Sequence, residues 1–135
     1  MKMPKDLIEE CVSKCLKCIQ ICEDFEICMN DKGKCELIAE KCSTFCMKCS
    51  HACSNLVKEL EAYIRANVNN EVIMENKPYL NELIGVCGEC IFMCDACSTS
   101  CEKSLTECQI SCKKCIEACY ACVNSCKKCL NDCQA

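Results

Sequence analysis

The chain has 135 residues and a formal net charge of −4, which allows one domain with a real core but no basic face for nucleic acid. Its 23 Cys stand beside three Phe, three Tyr, three Gly, two Pro and no Trp, a composition dominated by cysteine yet unlike the loop-rich, Gly- and Pro-rich scaffolds that disulfides hold together. The count is odd, and Met1–Asp6 lead straight into Leu7-Ile8-Glu9-Glu10 without an apolar secretory stretch, so a cytosolic, reduced chain is expected.

A single domain over residues 1–135 is predicted, built from four helices. The first begins near Pro4, a residue favoured at the first helical position, and stops before Asn30-Asp31-Lys32-Gly33. It carries Cys11, Cys15, Cys18 and Cys22 at alternating spacings of four and three, then Cys28. The second runs from about Lys34 to Ala66, with Cys35, Cys42, Cys46, Cys49 and Cys53, and is stopped by Asn67-Val68-Asn69-Asn70. Residues 67–77 form the longest connection, with room for a turn of helix. Pro78 opens the third helix, which holds Cys87, Cys90, Cys94, Cys97 and Cys101 and ends near Glu102. Ser104-Leu105-Thr106-Glu107 has the form of a capping box and starts the fourth, with Cys108, Cys112, Cys115, Cys119, Cys122, Cys126, Cys129 and Cys133. Short, long and short connections give an antiparallel four-helix bundle, an all-α fold.

Spacings that alternate between three and four place the cysteines on the seam of each helix, where Leu and Ile ordinarily sit; a strand would need a period of two. Cys28 falls at a flanking position instead. Continuing the seams brings Ile8, Leu56, Leu60, Tyr63, Leu80 and Leu83 together as an apolar plug at one end of the bundle. The other end gathers Phe25, Met29, Cys35, Cys101, Leu105 and Cys108, and is predicted to be the way in for metal. His51, the single histidine, points outward.

Seven Cys-x-x-Cys pairs interleave with ten Cys-x-x-x-Cys pairs, and each puts two sulfurs on one helix face about a turn apart. Facing ladders then make a tube of sulfur. Cys is much smaller than Leu, so such a core leaves space that metal ions would fill, making metal binding partly folding free energy. Soft thiolates select Cu(I), zinc or iron–sulfur clusters over hard ions. Two-thiolate sites within one helix suit Cu(I), the leading reading; four Cys per cluster drawn from facing helices would suit 4Fe–4S clusters too, the alternative, and a general thiol scaffold for zinc is a third, weaker reading. All 23 cysteines are candidate ligands.

The seams Cys11–Cys22, Cys42–Cys53, Cys87–Cys101 and Cys108–Cys133, with the proline-led third helix and the CxxCxxxC rhythm of the last two, resemble the bacterial copper storage proteins over nearly the whole chain. The resemblance implies a bundle that stores many Cu(I) ions on Cys, assembled as a homo-oligomer, and the absence of a leader likens it to the cytosolic branch. A copper chaperone or a small thiol is the implied donor. Ile91, Phe92 and Ile110 are apolar at outward positions and favour self-association. No Ser/His/Asp set, Gly-rich phosphate loop or paired carboxylates are found, and a non-enzymatic binding protein without nucleic-acid or membrane partners is expected. No apolar run is read as long enough for a membrane span.

Overall fold

A computed structural model describes residues 1–133, and its chain is all-α. Among the described residues five helices follow one another: α1 (Lys5–Asn30), α2 (Glu36–Ala66), α3 (Glu71–Met74), α4 (Lys77–Lys103) and α5 (Leu105–Asp132). The count exceeds the four expected because Asn70 accepts a hydrogen bond from the Ile73 amide and so caps a single turn, α3, within the long connection. The four long helices lie where the sequence places them. Pro78 sits in the first turn of α4, where its missing N–H costs nothing.

α1 packs on α2 and α5, and α4 packs on the same two helices, so the long helices enclose one core. Sulfur contacts fix their directions. Cys11, Cys15 and Cys18 of α1 meet Cys53, Cys49 and Cys46 of α2 in descending order, and Cys90, Cys94 and Cys97 of α4 meet Cys119, Cys115 and Cys112 of α5 likewise. Each of these pairs is therefore antiparallel.

Ser104 starts α5 by accepting the Glu107 amide at 3.1 Å, while the Glu107 carboxylate takes the Ser104 hydroxyl at 3.4 Å. The serine half of the predicted capping box thus forms, and the Ser104 amide bonds to Ser100 instead of the glutamate. In the α1–α2 turn the left-handed residue is Lys32, with φ 55°, and not Gly33. Gly33 instead relieves a close approach: a Cβ there would lie 3.2 Å from the Cys28 sulfur, which would have to give by a few tenths of an ångström.

α4 corrects one expectation. It is long and apolar enough, by length and composition, to cross a membrane. Cysteines raise its hydropathy, and the side chains of Cys87, Cys90, Cys94, Cys97 and Cys101 turn into the protein core.

The plug forms as the seams require, with Ile8, Leu56, Leu60, Tyr63, Leu80 and Leu83 all buried to 1% exposure or less. Because α5 runs antiparallel to α1, its C-terminal cysteines, Cys126, Cys129 and Cys133, share this end.

Candidate metal centre

Four layers of sulfur fill the space between the long helices. In the layer next to the plug, Cys11 lies 3.4 Å from Cys53 and 3.5 Å from Cys122, which in turn lies 3.6 Å from Cys87. One turn further in, Cys15 is 3.5 Å from Cys49, and Cys90 is 3.7 Å from Cys119. Next, Cys18 is 3.5 Å from Cys46 and 3.6 Å from Cys115, with Cys94 at 3.6 Å from Cys115. The last layer joins Cys97 to Cys112 at 3.7 Å and Cys112 to Cys42 at 3.9 Å, with Cys22 beside them. Contacts within α4 and α5, such as Cys90–Cys94 at 3.8 Å and Cys115–Cys119 at 3.9 Å, link one layer to the next. Every one of these thiols is buried.

The ladder alternates in proton affinity as well as in position. Two buried thiols in contact become a donor, pushed up, and an acceptor, pushed down. Hydrogen bonding to Cys115 pushes Cys119 and Cys94 up, while Cys119 holds Cys90 down. Cys112 holds Cys97 down and brings Cys42 to about 5. Cys129, outside the layers, is pushed up to about 12, first by burial and then by Cys133. Soft metal ions binding here must displace the protons on the donor thiols.

Several sets of four sulfurs lie mutually within 4.8 Å, among them Cys11, Cys53, Cys87 and Cys122, and Cys18, Cys22, Cys46 and Cys115. Metal–sulfur bonds of about 2.3 Å would give a tetrahedron with edges of about 3.8 Å, so these spacings match the coordination sphere of single soft ions. The sets overlap. Cys15 and Cys90 belong both to a set with Cys49 and Cys119 and to one with Cys53 and Cys122.

Four of the predicted ligands are placed otherwise. Cys28 is joined to Cys35, and Cys101 to Cys108, as disulfides, and so joined they offer no thiolates. The physical reason is the turn. Both pairs are seven residues apart across a tight reversal, α1–α2 in one case and α4–α5 in the other, which folds their Cα atoms to 6.0 and 4.1 Å. That signal was legible: these are the spacings of seven that coincide with a predicted helix end. Nineteen cysteines remain as free thiols.

His51 is exposed, as its outward position predicts, and Met29 is half-buried near the disulfide-tied end. Met47 and Phe92 are exposed, with Ile110 also outside the core. A polar brace between α2 and α4 was not foreseen. The Ser98 hydroxyl donates to the Ser43 carbonyl at 3.0 Å, and the Ser43 hydroxyl donates to the Glu102 carboxylate at 3.1 Å. No protein-family model, curated protein or solved structure matches this chain.

Proposed function

We propose that this protein stores or sequesters Cu(I), holding many ions on the thiolates inside an antiparallel bundle of its four long helices, and that it is a binding protein and not an enzyme. The observation that carries this is the overlap of the four-sulfur sets, in which neighbouring sets share members such as Cys15 and Cys90. A closed zinc site needs four thiolates of its own and leaves two negative charges on each buried centre. Shared sulfurs instead let monovalent copper approach one thiolate per ion, so the filled interior nears neutrality and the burial cost falls. The similarity of the seams to the bacterial copper storage proteins supports the same reading.

The four-Cys sets also supply the ligand number of a 4Fe–4S cluster. Against that, sulfurs mutually within 4.8 Å already surround a single-ion volume, and four irons with four sulfides between them would have to spread the helices.

The cytosol is the proposed compartment, with copper delivered by a chaperone or a small thiol. There the disulfides Cys28–Cys35 and Cys101–Cys108 would be reduced and would add four ligands. Exposed Phe92 and Ile110 supply apolar area for a homo-oligomer, readable by size-exclusion chromatography.

Metal and sulfide analysis of anaerobically isolated protein, followed by competition with a strong Cu(I) chelator, tests the proposal. The expected result is a colourless protein that takes up many copper ions against the chelator and contains no acid-labile sulfide. A brown protein with stoichiometric sulfide, or copper surrendered readily to the chelator, would overturn it.

A further inference from the structure

Resting on the copper-storage reading, we infer that Cu(I) passes in and out of the sulfur tube at its apolar end, through the thiol pair Cys129 and Cys133, and not at the end near Met29. Among the described residues, Cys133 is the only free thiol that is not buried. Its sulfur lies 3.3 Å from that of Cys129, which is fully buried one helical turn deeper. One more turn along α5 is Cys126, also buried, which interacts electrostatically with Cys11, Cys122 and Cys87 of the first tube layer. The three cysteines therefore form a stair from the surface to the store.

This pair is set apart from the tube. Its sulfur contact is internal, and it shares the end of the bundle that carries the buried Tyr63 of the apolar plug. Two sulfurs make a site for one two-coordinate Cu(I), too few for a closed centre, which suits a point of transit better than one of storage. Tyr63 adds a second, independent sign. Its hydroxyl is buried with no hydrogen-bond partner and lies within electrostatic reach of both sulfurs. A phenol hydroxyl placed there can donate a hydrogen bond to a thiolate formed beside it.

The opposite end has a sulfur path of its own, with Cys101 at 3.8 Å from Cys97 and Cys108 at 3.9 Å from Cys112, but with Cys101 and Cys108 joined as a disulfide it starts from no free thiol. Its turns are tied by Cys28–Cys35 and Cys101–Cys108, and the next free sulfurs inward, Cys22, Cys42, Cys97 and Cys112, are at most 1% exposed beneath a fully buried Phe25. The partner is accordingly a soluble carrier that presents Cu(I) between two thiolates. Cys133 displaces one donor thiolate and Cys129 the other, and each incoming thiol gives its proton to a departing donor thiolate. Copper stays in the +1 state throughout, and no oxidant or reductant is consumed.

Stopped-flow transfer tests this with Cu(I) held by bicinchoninate, a nitrogen chelator whose colour fades as the ion leaves, added anaerobically to full-length apo protein with its disulfides intact. The double variant Cys129→Ala/Cys133→Ala is expected to load about tenfold more slowly or worse, yet to reach the wild-type capacity less about one ion. Met29→Leu and Cys28→Ser/Cys35→Ser should load at the wild-type rate. Pulsed alkylation of the apo protein, mapped by mass spectrometry, should mark Cys133 first. Uptake by the double variant at the wild-type rate, slowed uptake in the opposite-end variants, or loss of several ions with the pair would each overturn the portal while leaving storage intact. A wild-type protein that takes no Cu(I) from the chelate would overturn the storage reading and the portal with it.

Discussion

A cysteine in this core has two partners to satisfy, the packing around it and the sulfur beside it. Thiol contacts of 3.4–4.0 Å run through four layers, and each asks one sulfur to donate and its neighbour to accept. Such a core is held by many weak polarizable contacts and few large apolar ones, so residues outside the ladder matter individually. Tyr63 is the sharpest case. Its ring is 1% exposed and fills the plug, but its hydroxyl is buried without a partner. Replacing Tyr63 by Phe keeps the ring and removes the unsatisfied group, so the metal-free protein should gain about 1 kcal/mol of stability in urea denaturation. A loss of stability would mean that the hydroxyl has a partner in solution.

At the level of elements, the helices divide the work by position along their length. The plug-end turns of α1, α2 and α4 carry Ile8, Leu56, Leu60, Leu80 and Leu83, whereas the middle turns carry only Cys at the seam. Stability without metal should therefore concentrate at the plug. Leu83→Ala removes a fully buried side chain there and should cost the apo protein about 2–5 kcal/mol while leaving copper capacity unchanged. Cys94→Ser in the middle of α4 should do the reverse, with a smaller effect on the apo denaturation midpoint and a reduced copper capacity. Denaturation curves and copper titrations of the two variants, side by side, check both halves. The Ser43–Ser98–Glu102 brace holds α2 against α4 near the far end, where apolar contact is scarce.

For the molecule as a whole, pH should act oppositely on the empty and filled states. The Cys129 thiol is raised from 9.0 to about 12 by burial and by Cys133, and Cys133 and Tyr63 are raised as well. A group whose pKa is higher in the folded than in the unfolded chain stabilises the fold below its unfolded value, and that contribution is lost as pH rises through the folded one. Apo protein should thus keep its stability at neutral pH and lose it progressively between about pH 9 and pH 12, seen as a falling thermal midpoint by circular dichroism. In the filled protein the competition is with protons for sulfur, so copper affinity should weaken as pH falls. Loading should also raise the thermal midpoint, because ions that bind only the folded chain stabilise it by mass action.

The sequence by itself determined which faces of the four long helices turn inward, since a period of 3.5 residues leaves each cysteine only one side on which to be buried. It also determined the apolar plug and most helix ends, through Pro4, Pro78 and Ser104. Tertiary structure decided what spacing within one strand of sequence does not encode. Tight reversals brought Cys28 to Cys35 and Cys101 to Cys108. The sharing of Cys15 and Cys90 between neighbouring sulfur sets likewise depends on the heights at which four helices meet. A helix repeat fixes direction around an axis, but only the packing of one axis against another fixes which sulfurs come within a bond of the same ion.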